Sequence, residues 1–444
     1  MIEMSSGTAL LAMLGVSLLL IFTGRSLAFS LGFTALIVGY LAAGPSVAGI
    51  MYSRVWGILT EYIFIAGPMF IFMGALLHHA GITERLYEAM HILMGKLKGG
   101  LALGTIVMGV IIAVCVGVVA ASIITIGLIA LPAMLKRGYS KDLATGTVCA
   151  SGCLGILIPP SVMLIFYGPA ASLSVGRLFM AAFMPGLLLA ALYFVYIAIR
   201  CLIKPGNGPA AQLEEKISST RKLYLLFTAL LPPLFIMLLV LGTIFFGVAS
   251  PTEAAALGAV GAGILAAIRG KLNYSILKEG AFSTGRVIAM AFYIVMGASM
   301  FAAVFIRLGC GDLLASAILA SPGGKWGAFA VVMLLIFIMG MFIDWLGILF
   351  ILIPVVTPIG YTLGFDPIWF AMMICINLQA SFLSPPFAYA IFYVKGLCPP
   401  EWGVQTRDII IGVIPFVLLI LVCIALCAVF PNIILWLPSI MIHR

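Results

Sequence analysis

The stretch Cys153-Leu154-Gly155-Ile156-Leu157-Ile158-Pro159-Pro160-Ser161 puts two adjacent prolines inside an apolar run that extends over about 142–171. Proline lacks an N–H and clashes with the preceding turn, so one helix cannot run through the pair. Proline does suit the first turn of a new helix. The run therefore reads as an interrupted helix. Its first half ends in free carbonyls near Gly155, and its second half starts with free N–H groups near Ser161. Asn377-Leu378-Gln379-Ala380-Ser381-Phe382-Leu383-Ser384-Pro385-Pro386, inside an apolar run over about 367–394, repeats the arrangement and adds Asn, Gln and two Ser. Unwound backbone is tolerated in a bilayer only where protein covers it or where it lines a wet cavity.

The rest of the chain supports a membrane setting. Its 444 residues are 64% hydrophobic and 8% charged, with a mean hydropathy of +1.28. A soluble chain is about half apolar and a quarter charged, so a soluble enzyme, a disordered protein and a nucleic-acid binder are all excluded. Apolar runs lie at about 6–24, 27–52, 57–79, 100–118, 121–135, 142–171, 177–203, 222–247, 251–268, 286–307, 326–342, 345–359, 367–394 and 408–436. Lengths near 20 without strict alternation indicate helices rather than barrel strands. Met1-Ile2-Glu3-Met4 has no basic leader, so the first run reads as a membrane helix and not a cleaved signal. The nine cysteines are scattered without CxxC or Cys/His spacing and read as free thiols with no metal site. His78-His79 reads as interfacial. No Ser/His/Asp set, HExxH or Walker loop is present, so neither enzyme chemistry nor ATP-driven transport is expected of this chain.

Lysines and arginines set the orientation. The regions 100–135 and 326–359 read as re-entrant hairpins, each entering and leaving on one side. With the N-terminus outside, only Arg54, Arg177, Arg307, Lys325 and Arg444 of the 23 basic residues then lie outside. The other 18 face inward, the bias that marks cytoplasmic loops. Ten spans and two hairpins result, with both termini periplasmic. The polar stretch 204–222 reads as a cytoplasmic linker between residues 1–203 and 223–444. Ile82 to His91 mixes charge with Leu, Tyr and Met and reads as an amphipathic helix along the inner interface.

The two halves echo each other. Pro132, Gly138-Tyr139, Pro159-Pro160 and Tyr167 in the first correspond to Pro354, Gly360-Tyr361, Pro385-Pro386 and Tyr393 in the second. The first Pro and its Gly are six residues apart in both, and the second Pro of the pair and its Tyr are seven apart in both. On the charge map the copies start from opposite sides. Inverted repeats that each contain an interrupted helix are the signature of a secondary transporter. The expected fold is an all-α polytopic membrane protein with inverted repeats, two re-entrant hairpins and two interrupted helices, of the elevator type.

The hairpin tips supply further exposed backbone. Gly117 to Ser122 is built of small residues, and Met341 to Gly347 contains Asp344, the one carboxylate of its apolar neighbourhood. Asp344 can balance a cation, carry a proton or cap the returning half-helix. Carbonyl ends suit Na⁺, and N–H ends suit a carboxylate. No Arg or Lys stands deep in the membrane for an anionic substrate. Pro160 and Ser161 at the first break, Asn377, Ser384 and Pro386 at the second, and Ser122 at the first tip are therefore the candidate substrate-binding residues.

Several segments resemble one family. Gly247-Val248-Ala249-Ser250-Pro251-Thr252-Glu253-Ala254 resembles the G-x-x-[ST]-P-T-E-A signature of the large membrane subunit of tripartite ATP-independent periplasmic (TRAP) transporters. Gly155 to Ser161 is similar to that family's G-x-x-I-P-P-S segment, and Ser384-Pro385-Pro386-Phe387 to its second-half counterpart. The closing Phe430 to Pro438 is also similar. The resemblance implies a Na⁺-coupled elevator importer of small organic acids in the bacterial inner membrane. It implies Na⁺ as coupling ion and no permanently bound cofactor. The implied partners are a small four-helix membrane subunit, a periplasmic substrate-binding protein and membrane lipid, with no nucleic acid. Carried over by motif, the sodium ligands are Gly117, Ala121 and Ser122 with Gly152 and Gly155, then Asp344 and Gly347 with Asn377, Ser381 and Ser384. The chain departs from the family at Val119-Ala120-Ala121-Ser122, where ligation would lean on backbone carbonyls, and at Ala388, where many members carry Gly. A stand-alone anion:Na⁺ symporter, working without a binding protein, is the alternative function.

Overall fold

The computed structural model describes residues 4–210, 218–386 and 388–441, apart from the side chains of residues 114–116, 219–223 and 226. All regular structure among these residues is helical. The helices are α1 (Ser6–Phe22), α2 (Leu27–Ala43), α3 (Ser46–Leu59), α4 (Ala66–His79), α5 (Ile82–Met94), α6 (Gly100–Val116), α7 (Val119–Lys136), α8 (Lys141–Cys153), α9 (Val162–Ala171) and α10 (Val175–Ile203). They continue with α11 (Ser219–Phe245), α12 (Pro251–Ile268), α13 (Tyr274–Arg307), α14 (Cys310–Leu319), α15 (Gly324–Gly340), α16 (Trp345–Thr362), α17 (Pro367–Leu383), α18 (Tyr389–Leu397), α19 (Thr406–Val429) and α20 (Asn432–Ser439). Among the described residues, eight helical stretches are long and apolar enough to cross a membrane.

Local chemistry sets the boundaries. Ser5, Ser26, Ser174 and Asn273 each accept a hydrogen bond from an amide of the first turn they precede. Asp366 accepts from Ile368 N at 2.9 Å and Trp369 N at 3.0 Å. The run expected over 27–52 is broken at Gly44-Pro45, where Gly44 takes φ +68° and starts α3 in a new direction. The run expected over 57–79 is a 3₁₀ turn at Tyr62–Ile65 followed by α4. The run 408–436 divides into α19 and α20 at Phe430-Pro431. α13 starts twelve residues before the expected 286, because Asn273 caps it and its charged first turns remain helical. Part of the expected linker 204–222, residues 211–217, lies outside the described residues. α11 begins at Ser219, inside that range.

Both hairpins enter and leave on one face. At the base of α6–α7, the Tyr139 hydroxyl accepts from Leu101 N at 3.2 Å. There Gly99 N and Ser140 N donate to Gly208 O at 2.7 Å and Asn207 O at 3.0 Å. The same face carries Lys141 Nζ donating to Gly403 O at 2.7 Å, Lys395 Nζ donating to Val404 O at 2.7 Å, and the Arg200–Asp142 ion pair. We call it the basic face. At the base of α15–α16, Lys325 Nζ donates to Gly364 O at 3.2 Å and lies 4.1 Å from the Phe365 ring centroid. Trp326, Phe329 and Trp369 gather there as well. Lys and aromatic side chains of this kind sit well at a membrane interface.

Packing is mirrored between the halves. α2 lies against α13 as α12 lies against α4. α8 packs on α19 as α17 packs on α10, and α9 packs on α16 as α18 packs on α7. The second helix of each hairpin thus rests on the second half-helix of the opposite half. α1–α4 and α11–α13 form a frame around the hairpins and broken helices. α14, the counterpart of the amphipathic α5, was not expected from the sequence.

Small residues allow the closest approaches. A Cβ on Gly297 of α13 would lie 2.3 Å from Ala28 O of α2. Gly297→Val is expected to destabilise the fold by about 1–3 kcal/mol through overpacking, read as a lower melting temperature in detergent. Gly285→Val is the control, since a Cβ at Gly285 meets nothing within 4 Å, and it should leave the melting temperature unchanged.

Candidate functional site

At the first break α8 tightens into a 3₁₀ turn at Leu154–Ile156 and then stops. Pro159, Pro160 and Ser161 are buried. Ser161 is extended (φ −118°, ψ 131°), and no side chain caps the start of α9. The Ser161 hydroxyl instead donates to Ile156 O, on the carbonyl end of the first half. At the second break α17 ends at Leu383 and Ser384 is extended (φ −98°, ψ 129°). Its hydroxyl donates to Ala380 O at 2.8 Å. α18 starts after Ala388 without a side-chain cap. Each break therefore uses its serine proton to serve carbonyls and leaves the next half-helix with bare amides. Ser161 and Ser384 thus offer lone pairs rather than donors, and the amides of α9 and α18 are the groups suited to an anion.

The first hairpin tip closes over the first break. Gly117 ends α6 with φ +62°, and Val118 is extended. A Cβ on Gly117 would lie 3.5 Å from Pro160 O and 3.7 Å from Val162 N. A Cβ on Gly155 would lie 2.9 Å from the Ser122 hydroxyl, and one on Gly152 would lie 2.3 Å from Ile123 Cγ1 and 3.0 Å from Ile123 N. Glycine at 152 and 155 thus lets the start of α7 seat directly on the interrupted helix. The Ser122 hydroxyl is buried and has no hydrogen-bond partner among the described residues. Ala121, beside it, is exposed.

The second tip is built differently. Asp344 caps α16, accepting from Leu346 N at 3.3 Å. A Cβ on Gly347 would lie 2.7 Å from Ile343 Cγ2 of the tip itself and 2.9 Å from Leu27 Cδ2 of α2. Asn377 and Ser381 tie α17 to α15: Asn377 Nδ2 donates to Met333 O at 2.7 Å, and the Ser381 hydroxyl to Phe337 O at 3.2 Å. A Cβ on Gly340 would lie 2.5 Å from Ser381. Pro386 is exposed, and Phe387 lies outside the described residues. The structure thus gathers Gly117, Ser122, Gly152, Gly155, Pro160 and Ser161 around the first tip. Asn377 and Ser381 bond to the hairpin's ascending helix, and Gly347 lies between Ile343 of the second tip and Leu27 of α2.

Pro251, Thr252 and Glu253 stand apart from this site. Ser250 N donates to Glu253 Oε2 at 2.7 Å, and Glu253 N donates to the Ser250 hydroxyl at 3.4 Å. With Pro251 in the first turn this is a capping box, and it fixes the start of α12.

Two cavities approach the site from opposite faces. One, of about 430 Å³, runs from His78, His79 and Glu279 on the basic face to Val118 and Ala121 at the first tip. The other, of about 370 Å³, holds Arg54 and Glu61 and lies between α3, the end of α9, α13 and α16. Five aromatic side chains lie between them. Phe64 and Phe292 come from the frame, Phe166 from α9, and Trp345 and Phe350 from α16. Ring centroids are 5.0 Å apart for Phe64–Phe166, 5.8 Å for Phe64–Phe292 and 6.2 Å for Phe166–Trp345. Along α13, Val287 lines the first cavity and Ser299 the second, with Phe292 between. This cluster was not legible in the sequence, because its members sit on four separate elements with no shared spacing. The cavity role of His78 and His79 was missed for the same reason.

A family model described as "Tripartite ATP-independent periplasmic transporter, DctM component" matches residues 14–433. The chain is 30% identical over 381 residues to the C4-dicarboxylate TRAP transporter large permease protein DctM of Pseudomonas aeruginosa, covering 85% of this chain and 87% of that protein. It is 30% identical over 428 residues to the sialic acid TRAP transporter large permease protein SiaM of Vibrio cholerae, covering 95% and 96%. Among solved structures, the Alcanivorax borkumensis YdaH transporter is similar in fold, with a TM-score of 0.59 and 15% identity over 96% of this chain and 98% of that one.

If the aromatic cluster is the barrier, a cysteine introduced as Ala121→Cys should react with a membrane-impermeant thiol reagent from the basic face only. Phe64→Ala and Phe292→Ala, each added separately, should make it react from both faces. Phe64→Ala should also cost about 3–5 kcal/mol of stability. One-sided labelling in both variants would place the barrier elsewhere.

Proposed function

This chain belongs to the family of TRAP transporter large permease subunits, the DctM components, and from that premise we propose that it imports a carboxylate-bearing small organic acid by Na⁺-coupled, elevator-type transport. It is a multi-pass membrane transport protein and not an enzyme. In this reading it lies in a bacterial inner membrane with its basic face to the cytoplasm and both termini periplasmic. A small four-helix membrane subunit joins it, and a periplasmic binding protein delivers the substrate. C4-dicarboxylate and sialic acid are named for its relatives, and a carboxylate-bearing acid fits the same chemistry here.

The observation that carries the reading is the first tip seated on the first break. The N-terminus of a helix carries about half a positive charge, and α9 presents its uncapped amides beside Gly117. A carboxylate meets there a partial charge that needs no buried Lys or Arg. The sodium ion fits the neighbouring oxygen set. The Ser122 hydroxyl is buried, held against Gly155, and has no partner among the described residues. The carbonyl end of the 3₁₀ turn lies on the same side of the break. In this reading Gly117, Ala121, Gly152 and Gly155 would contribute backbone oxygens, and Asp344, Gly347, Asn377, Ser381 and Ser384 would supply the second sodium site. Movement of the hairpins and broken helices against the frame would pass the site from one cavity to the other.

The test is uptake into proteoliposomes with the binding protein present and a panel of radiolabelled organic acids. An inward Na⁺ gradient is expected to drive accumulation. Ser122→Ala removes an oxygen that has no hydrogen-bond partner among the described residues. It should raise the Na⁺ concentration for half-maximal uptake at least about tenfold, the equivalent of losing one charge-assisted contact of about 1.4 kcal/mol or more, without lowering the melting temperature. Asn377→Leu and Ser384→Leu should abolish uptake while the protein still elutes as a single folded species. Full uptake by these variants would refute the site. Uptake that needs no binding protein would favour the stand-alone symporter.

A further inference from the structure

On the basic face, away from the hairpins, a polar pocket of about 510 Å³ lies between the end of α4, the start of α5 and the turn after α12. Arg85, Arg269 and Lys271 line it, with Glu84 as the single carboxylate and His78 and His79 at its edge. Arg269 is held in place: its Nη2 donates to Thr228 O of α11 at 2.9 Å and its Nη1 to Ala80 O at 3.4 Å. A guanidinium has five N–H donors, so three remain for the pocket. Three cations against one anion leave the pocket short of negative charge.

Next to it an apolar groove of about 460 Å³ runs between α11 and α12, lined by Leu231, Phe235, Gly261, Ile264 and Ile268 among others. Its wall is almost wholly hydrocarbon, and Phe235, Ile264 and Ile268 are exposed. The groove and the pocket are adjacent at the end of α12. Ile268 ends the groove and Arg269 begins the pocket. Leu231 stands one helical turn from Thr228, whose carbonyl holds Arg269. A hydrocarbon channel in the membrane therefore leads to a fixed cationic pocket at the membrane's edge.

We propose that this composite site binds an anionic phospholipid of the basic-face leaflet, with an acyl chain in the α11–α12 groove and the phosphate on Arg269, Lys271 and Arg85. Charge complementarity selects an anionic headgroup, and continuity with the groove selects a lipid over a free anion. Basic pockets between helices at the cytoplasmic edge are suited to such headgroups. Arg269 bridges α11 and α4 within the frame, so bound lipid would brace the frame and not the hairpins.

The full chain is purified in detergent, together with any membrane protein that accompanies it. Native mass spectrometry then measures retention of phosphatidylglycerol and of phosphatidylcholine with matched acyl chains. Thermal shift is followed with each lipid and with inorganic phosphate alone. Phosphatidylglycerol is expected to be retained at least tenfold better than phosphatidylcholine. Arg85→Gln and Lys271→Gln should each lower its retention about fivefold, the effect of one basic residue at a charged surface, with little change for phosphatidylcholine. Gly261→Phe fills the groove and should lower retention of both lipids. The position is open at its base, where a Cβ would meet Ile236 Cγ1 at 3.8 Å and Leu239 Cδ2 at 4.0 Å, and an unchanged melting temperature without added lipid checks that the variant folds. Equal retention of the two lipids, or charge variants that keep the preference, would overturn the proposal. So would inorganic phosphate matching the shift while Gly261→Phe changes nothing, which would mean a soluble-anion pocket. Loss of an accompanying membrane protein in Gly261→Phe, with lipid retention unchanged, would mean a protein partner fills the groove.

Discussion

Everything in this fold depends on one constraint: a peptide group left without a hydrogen-bond partner inside the bilayer costs several kcal/mol unless protein or water covers it. The two proline pairs create such groups twice. Around each break the chain assembles the cover that the constraint demands. Ser161 and Ser384 return their hydroxyl protons to the carbonyl ends. The α6–α7 tip seats on the first break through Gly152 and Gly155, where a Cβ would collide with Ile123 and Ser122, and turns at Gly117 with φ +62°. What remains uncovered is the amide end of each second half-helix. In the proposed function these ends are the electropositive surface that a carboxylate meets in the absence of a deep Lys or Arg.

The mirrored packing follows from the same constraint. A hairpin that enters from one face leaves the far end of the membrane to be filled by something else. Here that filler comes from the opposite half: α9 rests on α16 and α18 on α7. Each half therefore completes the other's wall, so neither half is a free-standing unit. The frame contacts are as close as the chain permits. Gly297 against Ala28 and Gly258 against Met73 are equivalent crossings, α13 on α2 and α4 on α12. Gly297 lets α13 meet the backbone of α2 at Ala28, and Gly258 makes room for the Met73 side chain of α4.

Much of this was legible in the sequence, because the informative residues act locally. The pairs Pro159-Pro160 and Pro385-Pro386 each stop a helix, so both breaks are written in the residue order. Proline alone does not decide it, since α11 runs on through Pro232-Pro233, and the division of the run 408–436 at Phe430-Pro431 was not expected. Lys141 and Lys395 converge on the segment Gly403-Val404, joining two of the basic loops that the charge map placed on one face. The signature Pro251-Thr252-Glu253 was recognisable before its physical role was, and that role is a capping box at the start of α12. Long-range contacts were not legible. Nothing in the spacing of Phe64, Phe166, Phe292, Trp345 and Phe350 says that five rings from four elements converge. The approach of Leu27 of α2 to Gly347, beside Ile343 of the tip, is another such contact between distant segments. Hydropathy also hid the start of α13, since its first turns carry Lys278 and Glu279 and still form helix under the Asn273 cap.

The two breaks are equivalent in sequence and unequal in surroundings, and that inequality bears on mechanism. Pro159 and Pro160 are buried, whereas Pro385 and Pro386 are exposed. The first tip opens to a cavity on the basic face, where Ala121 is exposed, and the aromatic cluster separates this cavity from the one on the opposite face. An inverted repeat relates the two faces by exchanging the halves. Applying that exchange to the observed arrangement would bury the second break and open the second tip, at Asp344, toward the opposite face. Both arrangements draw on the same set of helix contacts, so they can lie close in free energy, which alternating access requires. The exchange must also break and remake the aromatic cluster, whose rings come from both the frame and the helices it surrounds. In the proposed cycle that repacking is the step at which the two cavities are kept from joining, and its aromatic contacts, about 0.5–1.5 kcal/mol each beyond simple burial, are strong enough to seal and weak enough to release.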